Sequence, residues 1–569
     1  MMWNYMKKIT ALIICLMSLL LAVEGLAATK SQAGGQAELY QKSLSKGKII
    51  FIPHDNRPVS DEMPVDTIQK IGFEVIVPPD ELLGNRENLG DPDKLWEWLE
   101  KTSTTYRPPT KDEIKKNKSK APIKILNPDI RAMVISSDSM IYGSLVGSRK
   151  HILPESKLKE QTEKFTKYKS RYPDAKLYVF ASVMRTPASG EHSGTEEPEY
   201  YRRYGLDIFR YTVLCDMADV RTLTPKEEKE RDFLKELIPE EYLKDWLGRR
   251  DKNFNTNKML LQLAKENTFE CLVLGRDDNA AWSQTHMESR HLKDFAKKLG
   301  VERVHNLAGI DEVGLLLLTR AANDIRDVQP IVSARYNWGN GKTIIPAYSD
   351  EPIDTTIREH VNLMGGRYSE STDDLDLLLL VNTNSNGEHL AANWYSNTTV
   401  LTSGVRCFVD MVEEAVKNDY RVGIADVSFV NGSDNALMAE LERRNLLFEV
   451  RSYAGWNTPT NSVGYALAQG VLADSMRESD KNKLLTIRYM DDWAYQANVR
   501  QVVARQLSWF EGAGVYNILG ENKSQVEWRA TSLLQLFAEK NLPPSDFIKS
   551  LRLTSPWNRL FEARIRPAE

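Results

Sequence analysis

The sequence contains few cysteines and histidines, and it lacks the common motifs that place reactive side chains together. It has 4 cysteines and 8 histidines in 569 residues. Neither a CxxC pair nor an HExxH motif occurs, so the sequence predicts no cysteine- or histidine-based metal site. No GxGxxG or GxxxxGK[ST] motif follows the first predicted strand, and no GxSxG motif occurs. These absences disfavour nucleotide binding and a serine hydrolase, and we predict no cofactor.

An excess of charge of one sign is also missing. The 75 basic and 79 acidic residues give a net charge of −4, a balance that argues against a nucleic-acid partner. Apolar residues make up 41% of the chain and charged residues 27%, as in soluble globular proteins. At roughly 100 to 200 residues per domain, the length predicts about two to four domains.

The sequence has one long apolar run, close to the N terminus. Two lysines precede the run at residues 9–23, and small residues follow it up to Ala27. This order is typical of a secretory signal peptide, which we assign to residues 1–27, with an uncleaved anchor as the alternative. We therefore expect a secreted, extracytoplasmic protein with no membrane span after cleavage, because no later run is long and apolar enough.

Short β-rich runs alternate with longer amphipathic stretches along the rest of the chain. The first series of predicted strands comprises residues 48–52, 74–77, 133–136, 177–181, 271–274 and 303–306. The second comprises residues 331–334, 343–347, 375–381, 421–425, 447–451 and 484–487. Residues 377–381 are apolar at every position, as strands of a parallel sheet covered on both faces are.

The two series predict an α/β fold with two doubly wound parallel-sheet lobes and a C-terminal helical cap. The predicted units are residues 28–328, 329–496 and 497–569. An N-terminal (βα)8-like barrel followed by a smaller α/β domain is the alternative. A hairpin predicted to turn at residues 339–341 favours two lobes, because the last strands of a barrel are parallel. We expect residues 101–124 to be a solvated insertion without a chemical role.

Polar and aromatic residues follow almost every predicted strand. The carboxyl ends of parallel strands are where ligands bind in such sheets, because loops converge there. Carboxylates and amides bind hydroxyl groups, and aromatic faces pack against the C–H surface of a sugar ring. We therefore predict a glycan or small saccharide as the ligand. Its candidate binding residues are Asp55, Asn56, Arg57, Asp138, Arg185, Arg276, Asn279, Trp456, Asn457, Tyr489, Asp491, Asp492 and Trp493.

Three of these stretches also carry a resemblance. Ile-Pro-His-Asp-Asn-Arg-Pro at 52–58, Leu-Gly-Arg-Asp-Asp-Asn at 274–279 and Tyr-Ala-Gly-Trp-Asn-Thr at 453–458 resemble those of an uncharacterised family of exported bacterial proteins. That family is catalogued as a domain of unknown function. The resemblance covers nearly all of the chain after the predicted signal peptide, and it implies no activity.

Asp277 and Asp278 are the candidate catalytic residues. Adjacent carboxylates repel each other, so one is expected to hold a proton while the other stays ionised. A glycosidase needs this division between a protonated acid and an anion. The pair also resembles that of substrate-assisted N-acetylhexosaminidases. A purely structural interpretation is that Asp277 pairs with Arg276 or with a loop amide and that Asp278 caps a helix beginning near Ala280.

Two other functions compete with a glycoside hydrolase. A divalent-metal hydrolase of phosphoester or amide bonds would use aspartate oxygens as ligands, which suit magnesium, calcium or manganese. Its candidate ligands are Asp55, Asp138, Asp277, Asp278 and Asp491. A non-catalytic solute-binding protein is the third possibility, since two α/β lobes with a cleft also describe a receptor.

Overall fold

The computed structural model describes residues 46–188, 196–337, 341–384, 389–507, 516 and 518–568. The predicted signal peptide at 1–27 and two residues of the predicted turn at 339–341 lie outside these ranges. Among the helices of the described ranges, none has both the length and the apolar character of a membrane-spanning segment.

The described chain alternates strands with helices. Its strands are β1 (Lys48–Ile52), β2 (Glu74–Ile76), β3 (Thr104–Arg107), β4 (Ile123–Leu126), β5 (Ile130–Ser136), β6 (Leu177–Val183), β7 (Cys271–Arg276), β8 (Val304–Ala308), β9 (Ile331–Tyr336), β10 (Arg367–Tyr368), β11 (Leu377–Thr383), β12 (Val422–Val427), β13 (Ser452–Ala454), β14 (Leu551–Thr554) and β15 (Arg564–Pro567). Its α-helices are Glu62–Gln69, Pro92–Ser103, Lys111–Asn117, Ser137–Tyr142, Leu145–Lys150, Glu155–Arg171, Tyr201–Val220, Pro225–Leu237, Glu240–Lys265, Gln284–Leu299, Val313–Arg326, Ile353–Leu363, Ser403–Lys417, Asn435–Arg443, Pro459–Leu472, Glu478–Arg488, Arg500–Leu507, Lys523–Asn541 and Asp546–Ser550, with a π-helix at Tyr489–Val499.

Two parallel sheets organise the molecule. The first has the order β2-β1-β5-β6-β7-β8 and the second the order β10-β9-β11-β12-β13. In each sheet the order reverses beside the first strand in the chain, between β1 and β5 and between β9 and β11. Such a switch point opens a crevice at the carboxyl ends of the strands. The predicted α/β fold with two parallel sheets and a helical C-terminal region is confirmed. The first sheet is open, with β2 and β8 at its edges, so the barrel alternative is wrong.

Three predicted strands are wrong. Residues 343–347 are not a strand, and β9 is flanked by the parallel strands β10 and β11 rather than by a hairpin partner. Residues 447–451 precede β13, and residues 484–487 lie in the helix Glu478–Arg488. Short apolar runs fit a strand and a buried helix equally well, so packing decides between them. The predicted insertion 101–124 forms the end of one helix, a second short helix and most of the antiparallel pair β3–β4.

The two lobes share a hydrophobic core. The helix Val313–Arg326 is apolar over most of its surface, and Leu315, Leu316, Leu317 and Leu318 are fully buried. One apolar cluster joins this helix to Phe51 of β1 and to Leu379 of β11. Such burial requires neighbours on most faces of the helix. The helix therefore links the two sheets, and the lobe boundary near residue 328 stays a prediction.

Candidate active site

A polar cavity of about 370 Å³ lies beside the carboxyl ends of the first sheet. All three regions of the chain contribute to its wall. The first lobe contributes Arg57, Arg149, Arg185, Glu196, Asp277, Asp278, Asn279 and Asp311 among others, the second contributes Tyr348, Asn431, Asn457 and Thr458, and the C-terminal region contributes Tyr516, Arg559 and Phe561. The site is therefore composite, and it is complete only when the three regions pack together.

Asp277 and Asp278 follow β7 directly and have unequal surroundings. The Asp277 side chain is 5% exposed, and its Oδ2 accepts a hydrogen bond from Arg149 Nη2 at 2.5 Å. The Asp278 side chain is 29% exposed, and its Oδ2 accepts one from Arg185 Nη1 at 3.0 Å. The backbone φ of Asp278 is +23°, in the left-handed region that non-glycine residues rarely adopt. Strain of this kind is typical of functional sites.

The Asp278 carboxyl group has a raised proton affinity. Burial and the neighbouring Asp277 raise the pKa of Asp278 to about 6, although Arg185 and Arg149 oppose the rise. The partners that the structural interpretation assigns to the pair are wrong. Asp277 pairs with Arg149, and the next helix begins at Gln284 with Ser283 as its cap.

Glu196 joins three arginines in the cavity wall. Its carboxylate accepts from Arg149 Nη1 at 2.7 Å, and it lies 2.7 Å from Arg559 Nη2 and 3.3 Å from Arg185 Nη2. Burial alone would raise the pKa of Glu196, but the three arginines overcome burial and hold it well below its usual range. No motif points to Arg149, Glu196 or Arg559, and sequence reasoning missed all three.

The switch point of the first sheet contributes another ion pair. Arg57 donates from Nη1 and Nη2 to the two oxygens of Asp311, at 3.1 and 2.7 Å. Asp55 fixes Arg57 in place, because its carboxylate accepts hydrogen bonds from the backbone N–H and the Nε of Arg57. Asn56 accepts from Trp557 Nε1 at 2.8 Å, which ties the C-terminal region to this loop. Arg57 and Asp311 thus line the cavity, while Asp55 and Asn56 position the loop.

The second lobe reaches the cavity through Asn457. Its carbonyl accepts from the Asn431 N–H at 2.7 Å, and its side-chain oxygen accepts from Thr458 N–H and Asn461 Nδ2. The preceding Trp456 is 2% exposed and packs against Phe561 with ring centroids 5.8 Å apart. Trp456 is therefore a core residue rather than a stacking platform.

The remaining predicted site residues are not brought to the cavity. Arg276 donates to Asp350 and Glu351 instead. Asp138 accepts from the Ser182 N–H and hydroxyl, and burial raises the pKa of Asp138 to about 6. Residues of the second predicted pair and its neighbours lie in the π-helix and are buried: Tyr489, Asp491, Asp492 and Trp493.

The π-helix explains why this second pair misses the site. Because residues 484–487 are helical, the chain does not leave a strand edge at Asp491. Asp492 Oδ2 accepts from the Gly455 N–H at 2.7 Å and from Arg488 Nη2 at 2.6 Å. Asp491 accepts from Gln496, and Trp493 donates to Asn435. The Asp492 carboxylate therefore holds the loop after β13 through Gly455.

The predicted aspartate ligands of a metal site are separated in the structure. Asp277 and Asp278 line the cavity, Asp55 lies behind Arg57, and Asp138 and Asp491 have other partners. Within the described ranges, no three histidine, cysteine, aspartate or glutamate side chains are grouped so that they could hold a metal ion.

Comparison with known proteins identifies the chain at the level of a family. No curated protein and no solved structure matches it. A family model described as "Protein of unknown function (DUF4127)" matches residues 49–107 and 123–566. The unmatched residues 108–122 fall inside the predicted insertion. The match covers nearly the whole chain and confirms the predicted resemblance, and the chain belongs to the DUF4127 family of proteins of unknown function.

Proposed function

We propose that the protein is a carbohydrate-active hydrolase that cleaves glycosidic bonds in the cavity. Asp278 is the general acid that protonates the leaving oxygen as the glycosidic C–O bond breaks, and Asp277 is the anion that stabilises the positively charged sugar. Water then adds to the anomeric carbon, and its proton passes to the Asp278 carboxylate. One observation carries the proposal: two adjacent aspartates line one cavity in unequal surroundings, with the pKa of Asp278 raised to about 6 and Asp277 held by Arg149. Glycosidases divide proton transfer and charge stabilisation between two carboxyl groups in this way.

The charge balance of the wall supports a neutral, polar ligand. The cavity is lined by four arginines and four carboxyl groups, whose net formal charge is zero when Asp278 is ionised and +1 when Asp278 carries the proton of the acid: Arg57, Arg149, Arg185, Arg559, Glu196, Asp277, Asp278 and Asp311. Asn431 and Asn457 add amides that both donate and accept, and Phe561 adds an aromatic ring. A sugar offers many hydroxyl groups and apolar C–H faces to such a wall. The volume of about 370 Å³ lies within the roughly 300–1,000 Å³ that small-molecule sites occupy.

The first test is hydrolysis of a panel of chromogenic glycosides, including N-acetylhexosaminides, by the mature protein with and without EDTA. We expect Asp278→Asn to fold normally and to slow hydrolysis by about 10²- to 10⁴-fold, the usual contribution of a general acid. The loss should shrink for dinitrophenyl glycosides, whose leaving group needs no proton. Asp277→Asn should slow every substrate. Asp138→Asn is the matched control, because this aspartate is also buried and has a raised pKa but does not line the cavity.

The other outcomes of these assays would contradict the proposal or favour one of the alternative functions. Full activity in both Asp277→Asn and Asp278→Asn would remove the pair from the mechanism. Loss of activity with EDTA would favour the divalent-metal hydrolase. If no glycoside is cleaved while a sugar raises the melting temperature, the protein is a solute-binding protein. We also propose that it acts outside the cytoplasm on wall or environmental glycans, on the strength of the sequence of residues 1–27.

A further inference from the structure

Two neighbouring aromatic side chains in the second lobe are open to solvent. Trp394 is 49% exposed and Tyr395 is 80% exposed. Their ring centroids are 5.4 Å apart, and the ring planes are tilted by 35°. Single exposed apolar residues are common on protein surfaces, but an adjacent Trp–Tyr pair forms a contiguous apolar surface with polar groups at its edges. A contiguous exposed apolar surface is a candidate binding site.

The loop that carries these rings is held firmly by hydrogen bonds. The Ala392 N–H donates to Val430 O at 2.8 Å, and the Val430 N–H donates back to Leu390 O at 3.0 Å. Asn397 is buried, and its Nδ2 donates to Ala392 O at 2.7 Å and to Ser433 O at 2.9 Å. The rings are therefore presented by an ordered backbone, which lowers the conformational entropy that a ligand must remove on binding.

The same hydrogen bonds place the loop next to the cavity wall. Val430, its partner, directly precedes Asn431, which lines the cavity. Gly432 has a φ of +147°, and a side chain there would collide with Ala392. The close approach of the loop to residues 430–433 thus depends on this glycine. The loop that carries the aromatic pair is therefore hydrogen-bonded to the segment that contributes Asn431 to the cavity wall.

We infer that Trp394 and Tyr395 form an outer subsite, which binds a further sugar unit of a glycan chain whose cleaved bond lies in the cavity. The inference rests on the proposed function and names its substrate class as an oligosaccharide or polysaccharide. The ring faces pack against the C–H surface of a sugar, while the indole N–H and the phenol hydroxyl lie at the edges, where they can bind hydroxyl groups.

Affinity gel electrophoresis tests the subsite without any need for hydrolysis. The protein is run in native gels that contain glycol chitin, xylan or hydroxyethyl cellulose, in an Asp278→Asn background so that no polymer is cut. We expect at least one polymer to slow the protein. Trp394→Ala combined with Tyr395→Ala should weaken that binding about ten-fold or more. Trp394→Phe with Tyr395→Phe should keep most of it, because the ring faces remain.

Trp528→Ala is the matched control, because Trp528 is 67% exposed on the helix Lys523–Asn541, away from the proposed subsite in the sequence. Unchanged binding in the double alanine variant, equal loss in the Trp528 variant, or no retardation by any polymer would overturn the inference. If binding depends on the aromatic pair but the unmutated protein cleaves no glycoside, the subsite stands and the hydrolase proposal fails. The two proposals can thus fail separately.

Discussion

A buried carboxyl group between the lobes gives a quantitative prediction about pH and stability. Glu312 is fully buried, and its Oε1 lies 3.4 Å from Nε2 of His360, which is also fully buried. The carboxyl group packs against Gly309, and the Cβ and Cγ of Glu312 pack against Gly464, so a side chain at either glycine would collide with Glu312. Burial is the main cause that raises the pKa of Glu312 to about 8 and lowers the pKa of His360 to about 4. Both groups are therefore neutral near pH 6.

The expected size of the effect follows from linkage between protonation and folding. The ordinary pKa of a glutamate is 4.5, and in the folded protein the pKa of Glu312 is about 8. Because the folded value is the higher one, the stability that this group contributes is complete below pH 4.5 and is lost as the pH rises to 8. A difference of about 3.5 between the two pKa values corresponds to a loss of about 5 kcal/mol.

Glu312→Gln removes the ionisation and keeps the shape. We expect the variant to match the unmutated protein within about 1 kcal/mol at pH 5. At pH 9 it should be more stable by several kcal/mol, because it no longer pays to bury a charge. The free energy of unfolding from urea titrations at pH 5, 7 and 9 measures the difference. Glu81→Gln is the control, since Glu81 is exposed. A constant difference between Glu312→Gln and the unmutated protein across these pH values would refute the reasoning.

Three further predictions concern the site and the core. Arg559→Met leaves Glu562 without its buried partner and removes one of the three arginines around Glu196, so chemical denaturation should show a loss of about 3–5 kcal/mol in the free energy of unfolding, and no loss would show that other arginines compensate. Because the pKa of Asp278 is raised to about 6, kcat should fall as the pH rises above about 6, and a flat profile from pH 5 to 8 would exclude Asp278 as the acid. Leu316→Ala opens a cavity in the shared core and should lower the free energy of unfolding by about 2–5 kcal/mol, whereas a change below 1 kcal/mol would show that the lobes repack.

The sequence predicts a strand well where its apolar pattern fits a buried strand and no other element. Residues 377–381 are apolar at every position and form the interior of β11, between β9 and β12. Residues 484–487 are also mostly apolar, but they belong to a helix that continues into the π-helix. A four-residue run does not separate the two periodicities, and the neighbours that decide are distant in sequence. The parallel architecture is therefore more predictable than any single short strand.

Site residues that directly follow a strand are predictable from the sequence, and site residues placed by long-range packing are not. Asp277 and Asp278 reach the cavity because they follow a central parallel strand, and topology places the carboxyl end of such a strand in a crevice. Arg149 comes from a helix end and Arg559 from the C-terminal region, so their positions depend on packing among segments far apart in the chain. The end of β7 thus supplies Asp277 and Asp278, and Arg149, which is distant in sequence, supplies the positive charge beside Asp277. Since Arg149 holds Asp277, and Arg149 and Arg559 share Glu196, the packing of the C-terminal region reaches the proposed catalytic pair through three ion pairs in series. The electrostatics of the cavity are therefore complete only when the whole chain has folded.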